Sequence, residues 1–104
     1  MITFITHLQV SPHNASAFEA LMTDVCAKVR EHEAEGVPFY AFAHSVRAPN
    51  TYVVIEVYRD EASRSAHIAS SWIQESLPKS AGLVEGGFES QQYVSPGTTP
   101  VSFE

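Results

Sequence analysis

The residues of this chain with the clearest chemical potential lie in the second half of the sequence. Glu56 interrupts an apolar run, Tyr58 follows two positions later, and His67 comes soon after. In a strand, Glu56 and Tyr58 would share one face of the sheet, and His67 would lie on the following helix. A carboxylate beside a histidine can set its tautomer and raise its basicity, which suits proton abstraction near neutral pH. His67 is therefore the candidate general base, and Glu56 is predicted to orient it.

A structural interpretation of these residues stays open at this point. Glu56 could face solvent or a dimer interface, and His67 could cap a helix or fill a groove. Structural pairs also perturb each other, so spacing alone does not choose between the two interpretations.

Motifs for metals and common cofactors are absent from the sequence. None of the five histidines sits at short ligand spacing, and His32, within Glu31-His32-Glu33, is predicted to be a solvated helix position. There is no Gly-rich phosphate loop, no Gly-x-Ser-x-Gly elbow and no pair of cysteines. The sequence therefore predicts neither a metal site nor a bound cofactor.

Composition narrows the class of protein. The 104 residues are 44% hydrophobic and 17% charged, which predicts one folded domain. A net charge of −6 with scattered basic residues argues against nucleic-acid binding. No apolar run is long enough to span a membrane, no basic leader precedes one, and Cys26 has no partner for an intramolecular disulfide. We expect a cytoplasmic protein that does not act at membranes and has its own N-terminus intact.

Four strands are predicted from runs of β-branched and aromatic residues bounded by turn signals, at residues 2–10, 37–47, 51–58 and 88–94. Gly86-Gly87 is expected to introduce the last of them. An amphipathic helix is predicted over about residues 12–34, with Gly36 at its end. Asp60 is expected to cap a second helix, which should break before Pro78 or restart as a new turn near it.

The order β-α-β-β-α-β predicts an α+β, ferredoxin-like antiparallel sheet with both helices on one face. The other face needs a cover, and a second copy of the same sheet is the simplest one. We therefore predict a homodimer of the dimeric α/β-barrel kind. Residues 1–94 would form the domain, and residues 95–104 a tail able to contact the partner.

Three segments carry a resemblance to a known family. They are Tyr40, the run Glu56-Val-Tyr58-Arg-Asp60 and the run Ala66-His67-Ile68-Ala69-Ser70. Together they resemble the antibiotic biosynthesis monooxygenase (ABM) domain family over about residues 2–94. That family commonly has a tyrosine on strand two, Glu-x-Trp/Tyr on strand three and His-x-x-Ser/Thr on the next helix.

The resemblance implies a dimer with a pocket between sheet and helices in each subunit. It also implies oxidation of electron-rich phenols, hydroquinones or anthrones by O₂ without metal or flavin. The family includes quinol monooxygenases, an isomerase and haem-degrading relatives, so the fold does not settle the reaction. Trp72 and Ile73 stand where many members have a second histidine and an aromatic residue. Thr6 stands where haem-degrading members have asparagine, which argues against haem.

The preferred hypothesis is a cofactor-independent monooxygenase in which His67 deprotonates a small electron-rich aromatic and Glu56 orients His67. The predicted substrate-binding residues are Thr6, Tyr40, Phe42, Tyr58 and Trp72. One alternative is a small-molecule binding or sensing domain without chemistry. Another is an isomerase of a small carbonyl compound, which needs a second proton-transfer group across the pocket from His67.

Overall fold

The architecture, seen in a computed structural model that describes residues 1–102, is a four-stranded antiparallel sheet with three helices. The strands run in the order β2-β3-β1-β4 and every neighbouring pair is antiparallel. The α+β, ferredoxin-like prediction is confirmed. The elements are β1 (Ile2–Val10), α1 (Ala15–His32), β2 (Phe39–His44), β3 (Thr51–Tyr58), α2 (Glu61–Ala69), α3 (Ser71–Ala81) and β4 (Val84–Val94).

Helix α1 follows a short 3₁₀ turn at Pro12–Asn14 and buries one apolar stripe against the sheet. It ends at His32, slightly earlier than predicted, and Gly36 lies in the turn beyond it. A Cβ on Gly36 would stand 2.6 Å from the Ser63 Oγ, so this turn packs directly on α2. The end of α1 is thereby held against the start of α2.

The second helical segment is divided at Ser70, which is extended and separates α2 from α3. Asp60 caps α2 as predicted, accepting a hydrogen bond from the Ser63 amide, and the Ser63 hydrogen bonds lower the pKa of Asp60. The predicted break at Pro78 is wrong, because α3 continues through it to Ala81. Pro78 stands in the last turns of an exposed helix face, where the missing amide bond costs less than in a buried helix interior.

Strand β4 begins at Val84, four residues earlier than predicted, and contains both glycines instead of following them. Gly86 has φ of 62°, and the register of β4 against β1 shifts between His7 and Gln9. A glycine in the left-handed region at a register shift is typical of a β-bulge. The turn signal of the glycine pair therefore marks a kink within the strand.

Two apolar clusters form the core between sheet and helices. One contains Ile2, Phe4 and Tyr58, and the other contains Leu8 and Val54. On the helix-facing side of the sheet, polar residues stand between these clusters: Thr6 on β1 and Glu56 on β3. This polar interruption opens the core at the middle of the sheet.

The C-terminal segment, described as far as residue 102, folds back onto the sheet and core of the same chain. Val101 is buried within the first core cluster, and its amide and carbonyl both bond to the side chain of Gln92, at 2.8 and 2.9 Å. Residues 103–104 of the predicted tail lie outside the described chain, and a contact of the tail with a partner stays a prediction. No helix within residues 1–102 combines the length and apolar character needed to cross a membrane.

Candidate active site

A cavity of about 250 Å³ occupies the gap between the two core clusters. The sheet forms its floor and the three helices form its walls. Apolar side chains make up most of the lining, and the polar groups that face it include Thr6, Tyr40, Glu56, His67 and Ser80. A mostly apolar chamber with a few convergent polar groups is the usual form of a small-molecule site.

His67 lies in the last turn of α2, and its residue surface is only 3% exposed. Its Nδ1 lies 3.0 and 3.2 Å from the two carboxylate oxygens of Glu33. A carboxylate only accepts hydrogen bonds, so Nδ1 carries the hydrogen, and in the neutral imidazole Nε2 has the lone pair. Within residues 1–102, the hydrogen bonds of this ring all involve Nδ1, and the residue lines the cavity. In this arrangement Nε2 is chemically able to accept a proton.

Glu33 is a residue of this candidate site that the sequence pattern did not predict. It stands just past the end of α1, its side chain is 11% exposed, and it also accepts a 2.6 Å hydrogen bond from the Trp72 Nε1. An acidic group at the C-terminal end of a helix meets the unfavourable end of the helix dipole. That misplacement was the available signal that Glu33 has a partner elsewhere in the fold.

Glu56 does not make the hydrogen bond predicted for it. Its carboxylate accepts from the Tyr58 hydroxyl, whereas Nδ1 of His67 is bonded to Glu33, so the prediction that Glu56 orients the imidazole is wrong. Burial raises the pKa of Glu56 above its ordinary value of 4.5, opposed by the Tyr58 hydrogen bond and the charges of His67 and Arg64. Glu56 lines the cavity as a second titratable group beside the imidazole.

Tyr40 and Thr6, both predicted to contact substrate, line the cavity. The ring centroid of Tyr40 lies 5.1 Å from that of His67. Burial, reinforced by the negative charge of Glu56, raises the pKa of Tyr40, so its hydroxyl stays protonated and can donate a hydrogen bond. The Thr6 hydroxyl lies 3.0 Å from the Ser90 hydroxyl across the β1–β4 ladder.

Phe42, Tyr58 and Trp72 were also predicted to contact substrate, but none of them lines the cavity. Phe42 lies further along β2 and packs edge-on against Phe18. Tyr58 is 1% exposed and lies behind the site, with burial raising the pKa of its hydroxyl.

Trp72 is turned away from the cavity by two contacts. Its indole N–H is bonded to Glu33, and its ring stacks on His32 at a centroid distance of 4.7 Å. His32, predicted to be solvated, is therefore half-covered by this stacking. The Glu33 side chain, bonded to this indole, is 11% exposed.

The mouth of the cavity carries exposed apolar side chains from three elements. Ile68 on α2, Leu77 on α3 and Phe88 on β4 are 39%, 52% and 68% exposed. Phe88 directly follows the glycine pair of the bulge. An apolar entrance of this kind favours ligands that are themselves apolar.

Metal-binding side chains are not clustered in the described part of the chain. Among residues 1–102, no group of three or more histidine, cysteine, aspartate or glutamate side chains could hold a metal ion.

Comparison with known proteins identifies the family. The sequence profile of the antibiotic biosynthesis monooxygenase family matches residues 1–76, which is most of the chain. The chain belongs to this family. The predicted resemblance is thereby confirmed, and the match includes β1 to β3, α2 and the site residues Glu33, Glu56 and His67.

Solved structures of this fold come from distant organisms. A candidate antibiotic biosynthesis monooxygenase from Caulobacter crescentus CB15 is 23% identical, with a TM-score of 0.84 over 88% of this chain and 86% of that one. A conserved protein from Methanosarcina mazei Go1 is 24% identical, with a TM-score of 0.80 over 88% and 89%. Rv0793 from Mycobacterium tuberculosis is 18% identical, with a TM-score of 0.82 over 95% and 98%.

At these identities the likeness concerns the fold. No curated protein sequence matches the chain significantly.

Proposed function

We propose that this ABM protein is a cofactor-independent monooxygenase that oxidises a small phenol or hydroquinone with O₂. The observation that carries the proposal is the buried His67, held by Glu33 through Nδ1 and facing an apolar cavity with Nε2 available. An imidazole fixed in one tautomer by a carboxylate is suited to remove a phenolic proton near neutral pH.

The reaction balances without an external reductant. His67 takes the phenolic proton, and the phenolate transfers electron density to O₂, so that a new C–O bond forms at an unsubstituted ring carbon, para to the oxygen in a phenol and ortho in a hydroquinone. Loss of the C–H proton from that carbon and cleavage of the O–O bond then give a quinone and water. Phenol plus O₂ equals quinone plus water, because all four electrons come from the substrate. The protein contributes proton removal, confinement and exclusion of water.

Tyr40 and Glu56 have roles in this scheme that follow from their protonation. Tyr40, kept protonated by burial, donates a hydrogen bond to the oxygen that gains negative charge. Glu56, whose pKa is raised by burial, lies near enough to His67 for their charges to interact and can relay the proton that His67 has taken.

The cavity volume favours small substrates. An engineered cavity of about 150 Å³ in another protein holds one benzene molecule. The 250 Å³ here therefore suits one substituted ring or two fused rings better than the three fused rings of an anthrone.

A second candidate is the isomerase, and Glu56 is the observation that favours it. Isomerisation of a carbonyl compound needs one group to remove a proton and another to return it, and His67 and Glu56 face the same cavity. This activity would exchange a carbon-bound hydrogen with solvent deuterium in the absence of O₂.

The test is an oxygen-uptake assay on protein freed of metals and flavins by chelation and dialysis. We expect turnover of α-naphthol or hydroquinone, with α-naphthol giving equal amounts of O₂ consumed and quinone formed. Turnover that requires an added metal or flavin would overturn the cofactor-free mechanism. Deuterium exchange without O₂ uptake would favour the isomerase, and ligand binding without either would leave a binding domain.

A further inference from the structure

The cavity lining within residues 1–102 contains one carboxyl group and no strongly basic side chain. Its titratable lining groups are Glu56, His67 and Tyr40, and none of the residues lining it, all within the described chain, is a lysine or arginine. We propose that this site selects uncharged ring compounds and rejects the same rings when they carry a carboxylate, sulfonate or phosphate. The proposal rests on the function proposed above and specifies the substrate class of that site.

Glu56 gives an anionic ligand no positive charge in either protonation state. When neutral it offers no positive charge, and when ionised it repels a second anion. Its carboxylate already accepts from the Tyr58 hydroxyl, so that donor is not free for a ligand.

His67 does not supply the missing positive charge either. Even a protonated imidazole would be paired with the Glu33 carboxylate, which lies 3.0 Å from Nδ1. That protonated pair is neutral overall. Before protonation, the same imidazole can receive a proton from a neutral phenol, since the resulting phenolate and imidazolium then form together inside the cavity.

The positive charge of Arg64 lowers the pKa of Glu56, but Arg64 does not line the cavity. Its guanidinium carbon lies 4.5 Å from the centroid of the Phe4 ring, with which it makes a cation–π contact. The position of this guanidinium therefore leaves an anion in the cavity without a partner.

Burying an unpaired charge costs free energy, and the negative net charge of the protein further disfavours binding of an anion. Transfer of a carboxylate out of water without a partner costs several kcal/mol in proteins. The net charge of −6 also disfavours the approach of anions. An uncharged hydroxylated ring meets neither obstacle and gains from the apolar walls.

The experiment is anaerobic titration calorimetry with hydroquinone, gentisate and gentisamide. Gentisate adds a carboxylate to the hydroquinone ring, and gentisamide is its uncharged counterpart of nearly equal size. We expect gentisamide to bind about 100-fold more tightly than gentisate to the native protein. Equal or tighter binding of gentisate would overturn the proposal.

A charge placed in the lining provides the matched variant. Ser80 lines the cavity from α3, so Ser80→Lys should strengthen gentisate binding about fivefold or more. Gln74→Lys adds the same charge at an exposed α3 position outside the cavity and should leave the affinity unchanged. An equal gain in both variants would show that only net charge matters and would contradict the proposal.

Failure of this inference is distinguishable from failure of the proposed function. Preferential binding of uncharged rings without oxygen uptake would leave the charge selection intact and remove the oxidation. Oxidation of gentisate as efficient as that of gentisamide would support the oxidation and remove the charge selection. Absence of binding by all three rings would overturn both.

Discussion

Glu33 and Glu56 illustrate how two carboxyl groups near one imidazole acquire different tasks. Glu33 is enclosed by N–H donors from His67 and Trp72, which satisfy a carboxylate. Glu56 is buried beside the cavity, and burial raises its pKa. In the proposed mechanism the first group fixes the imidazole, and the second is available for proton transfer. Environments that separate the properties of neighbouring acids are a common sign of acid–base chemistry.

Replacing Glu33 with Gln should lower kcat by about 10- to 100-fold, the usual effect of removing a carboxylate that orients a functional histidine. Gln replaces one of the two acceptor oxygens with an NH₂ group, which would face an N–H donor of His67 or Trp72. KM should change little, because Glu33 does not line the cavity. Steady-state kinetics with an uncharged hydroquinone would measure both quantities.

Glu31→Gln is the matched control, since Glu31 lies two positions earlier on α1 with a side chain that is 73% exposed. Trp72 is the single tryptophan, so its emission should shift in Glu33→Gln and not in the control. An unchanged kcat in Glu33→Gln would remove Glu33 from the mechanism.

Glu56 should make stability depend on pH in a definite direction. Its pKa is raised in the folded protein, so the folded state binds the proton more tightly than the unfolded chain. The associated stability is present below the ordinary value of 4.5 and is lost as pH rises through the higher folded-state value. Glu56→Gln should remove this loss, because Gln can still accept from Tyr58 but does not ionise.

Urea denaturation at a series of pH values would measure the effect. The midpoint of Glu56→Gln should rise relative to the native midpoint as pH increases from 4 toward neutrality, on the scale of about 1.4 kcal/mol per pKa unit. A constant difference between the two proteins across this range would show that burial does not perturb Glu56.

At the scale of elements, the interruption at Ser70 separates α2, which carries His67, from α3, and both helices line the cavity. The Ser70 hydroxyl donates to the His67 carbonyl at 2.7 Å and so closes the last turn of α2. Helix α3 then starts in a new direction and supplies the opposite wall. If α2 and α3 were one continuous helix, His67 and Ser80 would lie along one straight axis and not on opposite walls of the cavity.

The bulge in β4 predicts that alanine substitution at two adjacent glycines will change the stability of the protein by different amounts. Gly86→Ala should destabilise the protein by about 1–2 kcal/mol, because its φ of 62° is unfavourable for a residue with a Cβ. Gly87→Ala is the control, since its φ is not in that region and a Cβ would meet nothing within 4 Å. Thermal or urea midpoints of both variants would test this. Equal midpoints would contradict the strain assigned to Gly86.

Sequence patterns predicted the elements better than the contacts between them. Alternating and helical periodicities indicated all four strands and α1, because burial of one face imposes those periods locally. Pro78 and the Gly86-Gly87 pair misled, since tertiary packing decides whether a helix tolerates proline and whether glycines end a strand or kink it. His67, Tyr40 and Thr6 could be associated with the site through the family motif and strand register.

The Glu33–His67 hydrogen bond could not be predicted from spacing. Its two residues are 34 positions apart and meet only because the Gly36 turn packs on α2. Trp72 likewise falls on an apolar stripe whose orientation depends on the direction that α3 takes after Ser70. Such partners are fixed by the packing of helix ends, on which residue periodicity carries no information.

At the scale of the whole molecule, the outer face of the sheet leads us to propose a homodimer. This face lies opposite the helices and presents Ile5, Val53, Ile55 and Val57, with Phe39 and Tyr93 both 51% exposed. An apolar sheet face of this extent is normally covered in a stable protein. A second copy would cover it symmetrically.

Sedimentation at micromolar concentration should therefore give about twice 11.4 kDa. Ile55→Glu, at the centre of the outer face, should yield the monomer, because it would bury a charge in the interface. Val46→Glu, at a position 95% exposed between β2 and β3, should remain dimeric. A native protein that sediments as a monomer would contradict the predicted assembly.

The central claim, that His67 is the base of a cofactor-free oxidation, is tested most directly by oxygen uptake of His67→Ala in the stripped protein. Turnover of an uncharged hydroquinone should fall by about 10²- to 10⁴-fold, with partial rescue by free imidazole. His44→Ala, which removes an exposed histidine from β2, should keep native turnover. Native turnover in a folded His67→Ala protein, or a loss that imidazole leaves unrepaired while the thermal midpoint collapses, would contradict the claim.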